Sequence, residues 1–247
     1  CYIDALIRNF RAFKEENGKK EIVSVYFGGG TPLLLSPSQF DVILSSLLEC
    51  FSFSDDIEIT AEANPSMSDK NKLSLYRKTG INRISFGVQS FNDNELKALK
   101  RTHTAEGAKR AIENAYISGF ENISADIMLG IPHQTKESLS QTLETAVNLP
   151  LSHISAYILK IEENTPFNSD DIRKTLPDDD TVADFYLQTI DTLEKKGFLQ
   201  YEISNFAKEG RQSRHNLLYW ESADYIGFGA AAHSCYLGSR FAVPSDI

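Results

Sequence analysis

Cysteine is scarce in this chain of 247 residues, with three side chains, Cys1, Cys50 and Cys235, far apart in the sequence. Three isolated thiols make neither a disulfide framework nor a spaced metal motif, so a reducing, cytoplasmic setting is expected. Positive charge is also short. Lys and Arg number 25 against 34 Asp and Glu, for a formal net charge of −9 spread along the chain. No basic stripe for nucleic acid is present, and no nucleic-acid partner is expected. No apolar run approaches the ~20 residues that cross a bilayer. The start shows no charged-then-apolar leader. Its first residue is not methionine, so an incomplete or processed N-terminus is expected. No low-complexity linker divides the chain, and 162–180, with Thr165-Pro166 and Asp178 to Asp180, is the expected mobile connection.

What is present is alternation. The runs EIVSVYF (21–27), IEITAEA (57–63), RISFGVQ (83–89), NISADIML (122–129) and HISAYILKI (153–161) read as strands, short, rich in β-branched and aromatic residues and bounded by turn formers. Several are nearly continuous in apolar residues, as strands covered on both faces are. Amphipathic helices are expected over 2–13, 37–48, 68–79, 104–118, 135–148 and 180–196. Ser36, Pro37 and Gln39 form a capping-box start. Gly80, Gly119 and Gly197 stand where left-handed C-caps belong. Strand and helix recurring at roughly 30-residue spacing imply parallel pairing with right-handed crossovers. The expected fold is α/β, a partial TIM-like (β/α)6 barrel over 1–198 with additional C-terminal elements over 199–247, among them YEISNFA as a further strand.

The strand ends carry the chemistry. After the first comes Gly28-Gly29-Gly30-Thr31-Pro32, after the second Glu62 with Asn64-Pro65, after the third Gln89, and the fourth is expected to end with Asp126 inside ADIMLGIP. Each alone is ordinary: a lone acid at a strand end is commonly a solvated or capping carboxylate, and a glycine turn is commonly a turn. The glycine run lacks the Lys-Ser/Thr of a phosphate loop and the spacing of a dinucleotide fingerprint. Four successive polar strand ends are harder to assign to chance.

GGGTP, EANP, GVQSFN and DIMLGIP, in this order, resemble the radical S-adenosylmethionine (SAM) proteins around oxygen-independent coproporphyrinogen III oxidase. The resemblance covers nearly the whole chain and implies the radical SAM part-barrel. It implies that Gly29, Gly30 and Thr31 meet the methionine amino group of SAM by backbone contacts and that Glu62 holds the ribose hydroxyls. Gln89, Arg101 and Asp126 match further SAM-contacting positions. Arg101 can pair with the methionine carboxylate or with a neighbouring acid. The CxxxCxxC motif that ligates a [4Fe–4S] cluster does not occur in this sequence. Cys1 stands without partners at that spacing and is not assigned as a ligand, and Cys50 reads as a small buried hydrophobe. Three thiolates are needed, so no metal ligand is expected in this chain. The cluster segment is expected to be missing ahead of the first helix, and a further domain after Ile247.

RHNLLYW (214–220) matches the HNxxYW motif of the HemW-type haem chaperones. The resemblance implies His215 as axial haem ligand, with Tyr219 and Trp220 as an apolar wall or propionate anchor. A structural histidine beside a core aromatic pair is the competing reading. His233 is a weaker second candidate in close-packed glycine and alanine surroundings, while His103, His133 and His153 read as surface or rim residues. Arg211 and Arg214 are the nearest basic pair for an anionic tetrapyrrole. Three functions remain: a haem chaperone with SAM and a [4Fe–4S] cluster that hands haem to respiratory haem proteins, with peripheral membrane association; a coproporphyrinogen oxidase decarboxylating propionates through a 5′-deoxyadenosyl radical; and a relic of the barrel without either activity. HNLLYW favours the first.

Overall fold

The computed structural model describes residues 2–163, 165 and 167–245. Strands β1 (Glu21–Phe27), β2 (Ser52–Ala63), β3 (Arg83–Gln89), β4 (Asn122–Leu129) and β5 (His153–Ile158) pair in sequence order, all parallel. The sheet is curled into a half-barrel and ends with β7 (Asn205–Ala207) against β5 and β6 (Leu199–Gln200) outermost. The partial barrel is therefore present. Its sixth position is taken by β7, which runs antiparallel to β5.

Helices α1 (Tyr2–Asn17), α2 (Pro37–Cys50), α3 (Lys70–Lys78), α5 (Ala105–Ile117), α6 (Lys136–Val147) and α8 (Asp179–Lys195) lie where the periodicity puts them. The short α4 (Asp93–Ala98) follows β3, and α7 (Asp170–Arg173) lies inside the expected connection. Asn164 and Pro166 of that connection lie outside the described residues. The local signals hold. Ser36 Oγ accepts from Gln39 N–H at 3.3 Å, and Gln39 Oε1 accepts from Ser36 N–H at 2.7 Å. Gly80, Gly119 and Gly197 end their helices at φ of 107°, 91° and 82°, backbone that a Cβ would strain.

Alternation along the strands decides which residues face the helices. Ile59 and Ala61, Ile84 and Phe86, Ile123, Ala125 and Ile127, Ile154 and Ala156 are buried in the apolar core beneath the helical layer. The intervening residues face the concave side and are mostly polar. After β7 the chain forms α9 (Arg214–Trp220) and a hairpin of β8 (His233–Tyr236) and β9 (Ser239–Ala242). The hairpin region packs on α1, with Phe228 edge-to-face on Phe10 at 4.8 Å between centroids and Tyr236 on Phe13 at 5.5 Å.

Candidate functional site

The glycine loop closes over Glu62. One carboxylate oxygen accepts from Gly29 N–H at 3.1 Å and the other from the Tyr26 hydroxyl at 2.7 Å. Gly29 and Gly30 sit at φ of 76° and 57°, in the left-handed region, with their backbone exposed. A Cβ on Gly28 would come 2.6 Å from the Tyr26 ring and 3.1 Å from Glu62 Oε1. The loop therefore needs glycine both for its path and for the space beside Tyr26. Thr31 precedes the short 3-10 turn Pro32–Leu34 and makes no side-chain capping bond.

A second group lies along β3 and β4. Gln89, at φ 70° for a residue with a Cβ, holds strain that its partners must support. Its Oε1 accepts from the Tyr157 hydroxyl at 3.1 Å. Arg101 donates to the Gly87 carbonyl at 2.6 Å, and its Nε is buried without a partner. Burial holds the guanidinium below its usual range, while Tyr157 and Asp126 act in the opposite direction. Asp126 accepts from Ser85 Oγ at 3.1 Å. Burial raises its carboxyl to about 6, Ser85, Arg83 and Arg101 oppose that rise, and nearby Glu62 adds to it.

Helix α9 is moored over the inner face by a side chain that the sequence does not flag. Glu58 of β2, buried at 7% exposure, accepts from the backbone N–H of Arg214 at 3.0 Å and of His215 at 3.1 Å, and from Ser213 Oγ at 3.3 Å. It supplies from another strand the acceptors that a helix start lacks. His215 then points inward. Nδ1 is 2.9 Å from Ser24 Oγ, Nε2 is 2.9 Å from the Tyr219 hydroxyl, and the ring stacks on Tyr26. Burial lowers its pKa, with Arg83 adding to the effect and Glu58 opposing it, so the imidazole is neutral near neutral pH. Tyr219 and Trp220 are exposed, at 47% and 54%.

Between α9 and the sheet lies a cavity of about 280 Å³, bounded by Arg83, Ser85 and Asp126, by His153 and Ser155, and by Asn216. His153 is buried there, its nitrogens at 2.8 Å from Ser124 Oγ and 2.9 Å from the Tyr201 hydroxyl. His103 is buried too, with Nε2 3.0 Å from the Val88 carbonyl. Both overturn the expectation of surface or rim positions, because each imidazole finds backbone or hydroxyl partners inside. His133 and His233 are exposed, and the backbone of Gly227 packs against His233. Arg211 and Arg214 do not form a free basic pair. Arg211 lies 3.4 Å from Glu121, and Arg214 lies 2.6 Å from Asp56, whose carboxyl it holds down to about 2.

The chain matches the description "Radical SAM superfamily" over residues 3–146. It belongs to that superfamily. Among its relatives, the "Heme chaperone HemW" of Haemophilus influenzae is 40% identical over 236 residues, covering 94% of this chain and 61% of that protein. The protein of the same name from Bacillus subtilis is 38% identical, covering 97% and 64%. Among solved structures, the radical SAM enzyme coproporphyrinogen III oxidase (HemN) from Escherichia coli superposes with a TM-score of 0.81 at 25% identity, covering 99% of this chain and 59% of that one. The chain spans less than two thirds of the length of these relatives.

A radical SAM protein is implied to bind SAM and a [4Fe–4S] cluster. The loop fits the first. Each Glu62 oxygen accepts one bond in this structure and keeps a lone pair for a hydroxyl donor, and the glycine backbone beside it is open. The cluster does not fit the described residues. Cys50 is buried, Cys235 is half-buried far along the chain, and Cys1 lies outside the described residues. No three His, Cys, Asp or Glu among the described residues converge as a metal site.

The residues expected from the sequence are thus gathered on one concave face and its rim, joined by three that were not expected, Tyr26, Glu58 and Arg83. A signal for Glu58 and Arg83 exists. In IEITAEA and RISFGVQ every second residue is polar or glycine, Glu58-Thr60-Glu62 and Arg83-Ser85-Gly87-Gln89. Such a row marks a wall facing a polar chamber.

Proposed function

We propose that this chain is the SAM-binding part-barrel of a haem chaperone. SAM lies with its methionine end on Gly29, Gly30 and Thr31, its ribose on Glu62, and Gln89, Arg101 and Asp126 along the rim. Haem is taken at α9 through His215 and is passed to respiratory haem proteins at the cytoplasmic face of the membrane. The observation that carries this reading is the run of contacts from the glycine loop through Glu62 and Tyr26 to His215. It makes the two sites neighbours on one face. The likeness to proteins named heme chaperone over 94% and 97% of the chain supports the same reading. No helix among the described residues is long and apolar enough to cross a membrane; the membrane association proposed here is peripheral.

For iron to reach Nε2 of His215, the Tyr219 hydroxyl must release it, and Ser24 keeps the ring oriented through Nδ1. SAM bound here would supply an activated sulfonium centre; the residues of this chain would bind and orient it. Haem titration of the full-length protein tests the proposal. The Soret shift is expected to weaken sharply in His215→Ala, and unchanged binding removes His215 from the site. The second reading, an oxygen-independent coproporphyrinogen oxidase, draws on the superposition with that enzyme. Anaerobic turnover of coproporphyrinogen III by the reconstituted protein would favour it.

A further inference from the structure

Arg83 opens β3 on the concave face, and its side chain is 3% exposed. Its Nε is buried without a hydrogen-bond partner, and among the described residues no carboxylate lies within ion-pair range of the guanidinium. Thr60, its register partner on β2, carries a buried hydroxyl that is also without a partner. Asp126 feels its charge from beyond ion-pair range, but a buried cation without a contact partner is costly, and folded chains keep one where something else completes it. Arg83 lines the 280 Å³ cavity beneath α9.

We propose that this cavity is a carboxylate-binding site anchored on Arg83. The guanidinium offers a planar fork of donors that matches a carboxylate, and burial strengthens such a pair. The remaining walls are serine hydroxyls, the amides of Asn205 and Asn216, and two imidazoles, His153 and, beside Tyr26 and Tyr219, the His215 proposed for haem. Burial and Arg83 hold His153 well below its usual pKa, so it stays a neutral hydrogen-bonding wall. Asp126 is the one carboxylate on the wall; it is engaged by Ser85 and weakens binding without occupying Arg83. At about 280 Å³ the cavity is smaller than pockets that enclose a drug-sized ligand, about 300–1,000 Å³. It suits a short acid, or the carboxylate arm of a larger molecule whose body lies outside. The proposal stands whether or not haem is the cargo of α9.

Propionate, titrated calorimetrically into the full-length protein, is the first probe. Saturable binding is expected. It should weaken by about tenfold or more in Arg83→Met, the scale of one charge-assisted hydrogen bond, and by less in Arg83→Lys. Asp126→Asn should tighten it several-fold. Ser155→Val narrows the cavity without touching Arg83 and should weaken it as well, which keeps the test open if Arg83→Met folds poorly. Thermal melting separates a binding role from a structural one. With no ligand added, Arg83→Met should raise Tm by about 2–4 °C, the response of a chain this size to relief of a modest strain, whereas a structural arginine would lower it on removal. Competition identifies the source of the carboxylate. Mesoporphyrin IX displaces propionate and its dimethyl ester does not if the arm belongs to a tetrapyrrole; neither displaces it if the ligand is a free short acid. Absence of saturable propionate binding, binding indifferent to both Arg83→Met and Ser155→Val, or equal displacement by the diester overturns the proposal.

Discussion

The imidazole of His215 lies stacked on the phenol ring of Tyr26, centroids 4.9 Å apart and planes 19° apart, while the Tyr26 hydroxyl donates to Glu62. One tyrosine therefore touches both the carboxylate proposed for SAM and the histidine proposed for haem. Burial, with Glu62 adding to it, pushes the Tyr26 phenol above its ordinary range, so it is a donor at neutral pH. Tyr26→Phe keeps the stack and deletes the bond. SAM affinity should fall by about three- to tenfold, the scale of one net hydrogen bond, with the haem Soret band unchanged. Tyr26→Leu also loses the stack, and the Soret response should then weaken too. Equal behaviour of the two variants in both titrations would show that the ring does not join the sites.

Glu58 is the test of whether α9 is held from β2. Its carboxylate takes the first two backbone N–H groups of the helix and the Ser213 hydroxyl. Glu58→Ala strands these donors in a buried place and should cost about 2–3 kcal/mol, read as a lower Tm and a weakened Soret shift together. Glu58→Gln keeps one acceptor oxygen and should lose roughly half as much. Arg214→Ala, by contrast, breaks an exposed contact with Asp56 and should leave Tm nearly unchanged.

Much of the frame is legible in the sequence because its signals are local. The Ser36 capping box, the glycine helix ends and the apolar rows of β3 and β4 need no long-range knowledge. The site is legible in part, since Gly29, Glu62 and Gln89 stand at or just past strand ends of a parallel α/β sheet, while Asp126, expected at such an end, lies inside β4. What sequence does not reveal is which side chain completes which element across the sheet. Glu58 reads as an ordinary strand acid until α9, more than 150 residues later, lands on it. His153 and His103 look like rim residues for the same reason, their partners Tyr201 and the Val88 carbonyl being set by tertiary contact. Direction is hidden as well. A strand at YEISNFA is a local reading, but its antiparallel pairing with β5 depends on how the chain returns to the sheet.

Gly28 is open to a direct steric test. Its φ is ordinary, so alanine is not excluded by backbone; the obstacle is the Tyr26 ring at 2.6 Å and Glu62 Oε1 at 3.1 Å from an added Cβ. Gly28→Ala should displace Tyr26 and lower SAM affinity by about tenfold or more while the fold melts within a few degrees of the parent. In the double variant Gly28→Ala/Tyr26→Ala the clash with the ring is gone and only the milder approach to Glu62 Oε1 remains, so the added methyl should then cost much less than it does beside Tyr26. Additive losses would place the effect elsewhere in the loop.

Asp126 gives the chain a pH signature of known sign. Its carboxyl ordinarily titrates near 3.8 and is raised to about 6 in the fold, chiefly by burial. The folded state thus binds this proton more tightly than the unfolded chain does. Stability from this group is complete below pH 3.8 and is lost as pH rises through 6, where the folded chain must carry a buried charge. Asp126→Asn removes that loss and keeps an oxygen for the Ser85 hydroxyl. The variant should match the parent near pH 4 and exceed it above pH 7, by on the order of 2 kcal/mol. Denaturant melts at the two pH values measure the difference directly. A variant weaker than the parent at high pH would mean that Arg83, Arg101 and Ser85 stabilise the carboxylate more than burial penalises it.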